Sequence, residues 1–144
     1  MKKIVALLLL SSLPGFCAQP QHAEAQRHFK RSVALWGKAD GDGEIAELRK
    51  TLALDPGFQE AHFNLGVAFA DKDEFGEAVT EFREAVRLKP SDDLAHHCLA
   101  LALEKQGDLR DALEESKLAC ELDGKNGTYK AHYEQVLRII HALP

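Results

Sequence analysis

The 144-residue sequence has no long run of basic residues, and its 23 acidic side chains outnumber its 18 lysines and arginines. Because phosphate neutralisation supplies most of the affinity for nucleic acid, an acidic chain without a basic stripe is a poor candidate for nucleic-acid binding. The chain also has no phosphate-binding loop, no HExxH and no CxxC motif, so the sequence predicts neither an enzyme nor a cofactor. Its 45% of apolar and 28% of charged residues are typical of one globular domain.

A short apolar run covers residues 4–10, after two lysines and before Ser, Pro and Gly. This order predicts a secretory signal peptide over residues 1–18 and a short linker over 19–24. The run falls well short of the about 20 apolar residues of a transmembrane helix, so no span is predicted in the mature chain. Cys17 leaves open a lipid-modified N-terminus, but Phe16 stands where such signals require a small residue, which favours simple export.

Residues recur at a fixed interval of 34, which predicts stacked structural units. In the middle unit, residues 59–92, four positions are spaced as one face of a helix and three as one face of a second helix. Pro90 then marks the end of the second helix. The recurring sets are Pro56, Pro90 and Gly124; His28, His62 and His96; and Leu54, Leu88 and Leu122. The two faces of the middle unit are His62, Leu65, Gly66 and Phe69, and Ala78, Phe82 and Ala85.

With those residues the middle unit resembles the tetratricopeptide repeat, with His62 replacing an aromatic residue. The resemblance implies an all-α fold, in which antiparallel helix hairpins stack into a short right-handed superhelix. Three units are predicted over residues 25–58, 59–92 and 93–126, and a C-terminal capping helix over 127–144. The first unit is degenerate, because Arg31 and Ser32 stand where Leu-Gly is expected. The apolar stripe of the capping helix is Tyr129, Tyr133, Val136, Leu137 and Ile140.

The stretch KADGDGEIAELR, residues 38–49, is similar to a calcium-binding EF-hand loop. Such a loop needs oxygen ligands at its first and twelfth positions, and here these are Lys38 and Arg49. We therefore interpret the stretch as a turn between two helices. Gly41 and Gly43 are expected to supply positive φ, and Asp42 to cap the next helix.

The recurring histidines and the two later cysteines are interpreted as structural residues. His28, His62 and His96 lie in successive units, too far apart to share one metal ion, so they are predicted to fill the aromatic position and no metal site is expected. Cys98 and Cys120 are predicted on different helices and interpreted as unpaired, although export would permit a disulfide.

The resemblance also implies a concave groove, lined by the first helix of each unit, that binds a peptide or a partner protein. Phe29 and Trp36 are either anchors for a ligand or buried beneath the N-terminal segment. Of the positions that clamp a C-terminal carboxylate in one subgroup of the family, only Asn64 fits, so no such clamp is predicted. The predicted lining residues are Phe29, Val33, Trp36, Phe63, Asn64, Val67, His97, Cys98, Leu101 and Glu104.

The predicted function is therefore that of an exported scaffold, periplasmic or extracellular, without enzymatic activity. The alternative is a membrane-anchored, lipoprotein-like subunit of a cell-envelope assembly complex. The partner and the oligomeric state stay open at this point.

Overall fold

The computed structural model describes residues 18–36, 38 and 40–143, and within these ranges all regular structure is α-helical. In these ranges seven helices follow one another: α1 (Ala18–Trp36), α2 (Gly41–Leu54), α3 (Gln59–Asp71), α4 (Phe75–Leu88), α5 (Asp93–Gln106), α6 (Leu109–Leu122) and α7 (Gly127–Ala142). None of the described helices is long and apolar enough to cross a membrane. The predicted signal peptide, including Cys17, lies outside the described residues, except for Ala18.

Consecutive helices pack against each other along the whole chain. The tightest associations are within the pairs α1–α2, α3–α4 and α5–α6, and each pair contacts the next through α2–α3 or α4–α5. Helix α3 also touches α5, so the first helices of successive hairpins are neighbours. Helix α7 packs on α6 and closes the stack. The all-α fold of stacked helix hairpins with a C-terminal capping helix is confirmed.

The residues of the repeat pattern form the core between the helices. Leu65, Phe69 and Phe82 are buried, and Ala78 and Ala85 are fully buried. The core continues into the third hairpin through Leu99 and Leu103 and reaches α7 at Val136. Burial of these side chains is the main force that holds one hairpin on the next. His62 is half-buried and Pro90, which follows the last residues of α4, is exposed.

Gly66 brings the two helices of the middle hairpin into close contact. A Cβ atom at this position would lie 2.7 Å from two ring carbons of Phe82, closer than carbon atoms can approach. Phe82 is only 2% exposed, so its ring has little room to move aside. The absence of a side chain at Gly66 is therefore what lets the ring of Phe82 fill the space between α3 and α4.

One histidine in each hairpin bonds a glutamate on the second helix of the same hairpin. The distances from Nδ1 to the carboxylate oxygen are 2.6 Å for His28–Glu47, 2.7 Å for His62–Glu81 and 2.6 Å for His96–Glu115. The Nε2 atoms of His62 and His96 also lie 3.0 Å from the carbonyl oxygens of Pro56 and Pro90. Because both ring nitrogens face acceptors, only the doubly protonated imidazolium donates both bonds.

The stretch over residues 38–49 is mostly helix, which corrects two details of its interpretation. Helix α2 already begins at Gly41, and the residue that caps it is Asp40, whose carboxylate accepts from the Gly43 N–H at 2.9 Å. Asp42 lies in the first turn, so the prediction that it caps the helix is wrong. Gly41 and Gly43 are helical and do not adopt positive φ, because the capped helix starts before them.

Positive φ occurs instead at the turns of the second and third hairpins. Asp73 has a φ of 59° and Gly107 a φ of 95°, and these are the described residues with left-handed backbone. The two positions are 34 residues apart and occupy equivalent turns. The tight turn of the middle hairpin is therefore made at Asp73, a residue that tolerates this conformation less well than glycine.

Residues 19–24 form the first turns of α1, so they are not the linker that the sequence pattern indicated. The segment QPQHAE contains glutamine, alanine and glutamate, which favour helix, and its proline stands in the first turn, where no N–H is needed. His22 joins this segment to the end of α2, because its Nδ1 lies 2.8 Å from the carboxylate of Asp55, the residue that follows α2.

We expect Gly66→Ala to lower the free energy of unfolding by about 1–2 kcal/mol, because the added Cβ overlaps the ring of Phe82 and outweighs the better helix propensity of alanine. Chemical denaturation followed by circular dichroism measures the change. Gly127→Ala is the matched control, since nothing lies within 4 Å of a Cβ at that helical glycine. Equal stability of the two variants would contradict the close contact.

We expect the imidazole of His62 to titrate above its ordinary value, because the hydrogen bond to Glu81 raises the pKa of His62 against the opposing effect of burial. A raised pKa in the folded state means that the stabilisation is complete below the ordinary pKa of about 6.5 and is lost as pH rises through the folded value. NMR titration of the ring measures this pKa. Glu81→Gln should lower it, whereas Glu114→Gln, at an exposed glutamate of α6, should leave it unchanged.

Candidate functional site

An apolar cavity of about 240 Å³ lies where the first hairpin meets α3. Helix α1 contributes Val33 and Trp36 from its last two turns, and α3 contributes one face of its middle turns. The cavity brings together five of the predicted groove residues with one that was not predicted. The lining residues are Val33, Trp36, Phe63, Asn64 and Val67, together with Glu44 from α2.

The exposure of the lining residues shows that the cavity opens to solvent on the side of α1. Trp36 is 65% exposed and Val33 is 47% exposed, which are high values for side chains of this size. Phe63 is half-buried and packs its ring 5.7 Å from that of Phe82, which fixes its position in the core. The site thus has a floor held by the hairpin core and an exposed wall that a ligand could cover.

Phe29 lies away from this cavity. Its ring is half-buried against Phe58 in the connection between α2 and α3, with ring centroids 4.9 Å apart. Neither of the two expectations for Phe29 describes this arrangement, because the covering residue, Phe58, comes from the connection between α2 and α3 and not from the N-terminal segment. Trp36, by contrast, remains exposed and lines the cavity.

The capping helix covers the third-unit end of the predicted groove. His97 is 9% exposed, with its ring centroid 4.6 Å from that of Tyr129 and 5.1 Å from that of His132. Glu104 accepts from His132 Nε2 at 2.8 Å and from Gln135 Nε2 at 3.1 Å. Because α7 covers this part of the surface, His97 and Glu104 contact side chains of α7 and do not line an open groove. Leu101 is 40% exposed but lies outside the cavity.

The sequence pattern did not indicate that His132 and Glu44 are buried. His132 is 6% exposed and sits among the buried residues of α7, where the predicted stripe had only tyrosines and aliphatic residues. Glu44 is 6% exposed and faces the cavity. The interval of 34 places Glu44 at the position of Ala78 and Ala112, so a charged residue in a small-residue position was the available signal.

The cysteines of the described chain are both free and half-buried. Cys98 lies on α5, where burial raises the pKa of its thiol to about 11, so the reactive thiolate is scarce at neutral pH. Cys120 lies on α6, and burial also raises the pKa of its thiol. Within the described residues, no group of three histidine, cysteine or acidic side chains is arranged to hold one metal ion.

The sequence profile of a family described as "TPR repeat" matches residues 68–107, which run from α3 through the turn at Gly107. Several solved tetratricopeptide repeat domains share the architecture of the chain. The chain therefore has the tetratricopeptide repeat fold. No curated protein matches it in sequence.

Three solved structures show how closely the tetratricopeptide repeat fold is followed. The first TPR domain of Spaghetti (RPAP3), bound to the HSP90 peptide SRMEEVD, aligns with a TM-score of 0.80 and 17% identity over 84% of this chain and 96% of that one. The Arabidopsis OM64 TPR domain aligns with a TM-score of 0.77 and 14% identity over 82% of this chain and 98% of that one. The Sgt2 TPR domain from Aspergillus fumigatus aligns with a TM-score of 0.74 and 19% identity over 82% of this chain and 80% of that one.

We expect His97 to titrate below its ordinary value, because burial, with a smaller contribution from the nearby His132, lowers the pKa of His97. A lowered pKa in the folded state means that the unfolded chain takes up the proton first, so stability falls as pH drops below about 6.5. Urea unfolding at several pH values measures this dependence. His97→Phe should weaken the loss on acidification, whereas His141→Phe, at an exposed histidine of α7, should not.

Proposed function

We propose that this tetratricopeptide repeat protein is a binding scaffold that holds an apolar segment of a peptide or partner protein in the cavity between α1 and α3. The observation that carries this proposal is the wall formed by Val33 and Trp36, which leaves large apolar side chains exposed beside a cavity of about 240 Å³. Exposed apolar surface of this kind marks interaction sites, and tryptophan is frequent among the residues that dominate binding energy.

The proposal involves shape and apolar complementarity without chemical transformation. The cavity is lined by four apolar side chains, one amide and one carboxylate, with no paired nucleophile and base among them. One structural relative, the TPR domain of Spaghetti, is bound to a peptide in its structure, which supports peptide binding as a use of this fold. In this chain no lysine or arginine lines the cavity, so a clamp for a peptide carboxylate is not part of the proposal.

Export belongs to the proposal as well, on the pattern of two lysines and an apolar run in residues 1–18. Mass spectrometry of the mature N-terminus tests it. A chain that begins near Gln19 supports simple export, whereas a diacylglycerol group on Cys17 would favour the membrane-anchored subunit of an envelope assembly instead.

We expect Val33→Gln to weaken the binding of cavity-directed peptides about tenfold or more, because an uncharged polar amide replaces apolar contact at the wall of the cavity. The peptides come from selection of a 12-residue phage-displayed library on the purified mature chain. Trp36 is the single tryptophan of the sequence, so its fluorescence reports binding at this site directly.

Leu118→Gln is the matched control, because Leu118 is 40% exposed on α6 and Val33 is 47% exposed on α1. Circular dichroism establishes that both variants are folded. If the two variants bind the selected peptides equally well, the cavity is not the binding site.

A further inference from the structure

Glu44 is a carboxylate in a position that the fold reserves for a small apolar residue. One and two intervals of 34 further along the chain are Ala78 and Ala112, both with 0% exposure. Glu44 is itself only 6% exposed, and its side chain lines the apolar cavity next to Val33 and Phe63. The first hairpin thus places one acidic group at the base of a site whose walls are otherwise almost entirely apolar.

This carboxylate has no partner in the part of the chain that the structure describes. No lysine, arginine or histidine there forms an ion pair with Glu44, whereas the more exposed Glu47 of the same helix accepts from His28 at 2.6 Å. Lys72, which lines an adjoining depression together with Glu44, is paired with Asp42 at 2.6 Å. Burial, followed by the charge of Asp71, raises the pKa of Glu44, which reflects the cost of an ionised group that lacks a counterion.

The surroundings of Glu44 suit a cation that is carried on an apolar stem. The faces of Trp36 and Phe63 and the side chains of Val33 and Val67 can cover the methylene groups of a lysine or arginine, and tryptophan attracts cations through its ring. A cavity of about 240 Å³ is below the roughly 300–1,000 Å³ of ordinary small-molecule sites, as expected for a pocket that takes one side chain. A bare divalent ion needs about six oxygen ligands, which these walls do not provide.

The surface next to the cavity adds further negative charge. Trp36 and Glu44 also line an adjoining depression, together with Asp40, Asp42, Asp71 and Lys72. Three aspartates and one lysine, itself paired, give this approach a negative potential. Such a potential attracts basic segments and repels acidic ones, which affects both the rate of encounter and the choice of partner.

We propose that the cavity receives a basic side chain, arginine or lysine, of a peptide or partner segment, with its stem against Trp36 and Val33 and its cationic head on the Glu44 carboxylate. This inference rests on the proposed function and specifies the chemistry of its ligand. The ligand is then an apolar segment that contains a basic residue, opposite in charge to an acidic C-terminal peptide.

The test compares peptides and protein variants in a double-mutant cycle. Peptides are selected from a 12-residue phage-displayed library on the purified mature chain, and we expect a basic residue beside apolar ones in each binding sequence. In synthetic copies, that residue is replaced by norleucine, which keeps the stem and removes the charge. We expect this change to weaken binding to the wild-type chain tenfold or more, and to have little effect on binding to Glu44→Gln.

A second variant, Glu44→Ala, allows the same test if Glu44→Gln does not fold. Glu44→Ala restores the residue found at the equivalent positions 78 and 112, so we expect it to fold, to unfold at a higher temperature than the wild-type chain, and to show the same loss of preference for the basic residue. Replacement of Glu114, an exposed glutamate of α6, by glutamine should leave the preference intact.

Two results would overturn the proposal that Glu44 binds the cationic head of the ligand. One is that the selected peptides are acidic. The other is that norleucine weakens binding equally in the wild-type chain and in both Glu44 variants. The proposed binding function would survive that result as long as Val33→Gln still weakens binding. Insensitivity of the peptides to Val33→Gln would overturn both proposals.

Discussion

The structure depends on matched side-chain sizes at one buried contact between the two helices of a hairpin. In the middle unit a glycine faces the ring of Phe82, and the hairpin closes on that ring. The equivalent pairs in the other units are Ser32 with Leu48 and Ala100 with Ser116, and all four of these residues have 0% or nearly 0% exposure. Compared with Gly66 and Phe82, the first unit pairs a larger residue, Ser32, with a smaller one, Leu48, which keeps the packed volume similar. The third unit pairs two small residues, Ala100 and Ser116, so less side-chain volume separates its helices at this contact.

Hydrogen bonds between paired helices also recur every 34 residues. Residues that differ in type from their equivalents in the other hairpins lie at the cavity and beneath the capping helix. The three histidine–glutamate pairs tie first and second helices together at the same height in each hairpin. Glu44 departs from the pattern, because it brings charge into an alanine position without a described partner. His97 departs as well, because it takes the position of Phe63 and meets Tyr129 of the capping helix.

The sequence was sufficient to predict the parts of the structure that depend on local periodicity. The packing of Leu65, Phe69 and Phe82 and the end of α4 before Pro90 follow from residues within one unit. The start of α1 and the cap at Asp40 depend on competition between neighbouring caps and turns, which a pattern does not resolve. The burial of His97 and Glu104 depends on how α7 docks, and that is a tertiary contact between distant segments.

The cavity draws its walls from α1, α2 and α3 and therefore straddles the junction between the first hairpin and the second. In a stack where each unit is held mainly by its neighbours, the terminal unit has one such junction and opens most readily. An occupant of the cavity touches both sides of that junction and binds only when they are together. Occupancy must therefore slow amide hydrogen exchange throughout α1 and α2, including at residues that the guest never touches.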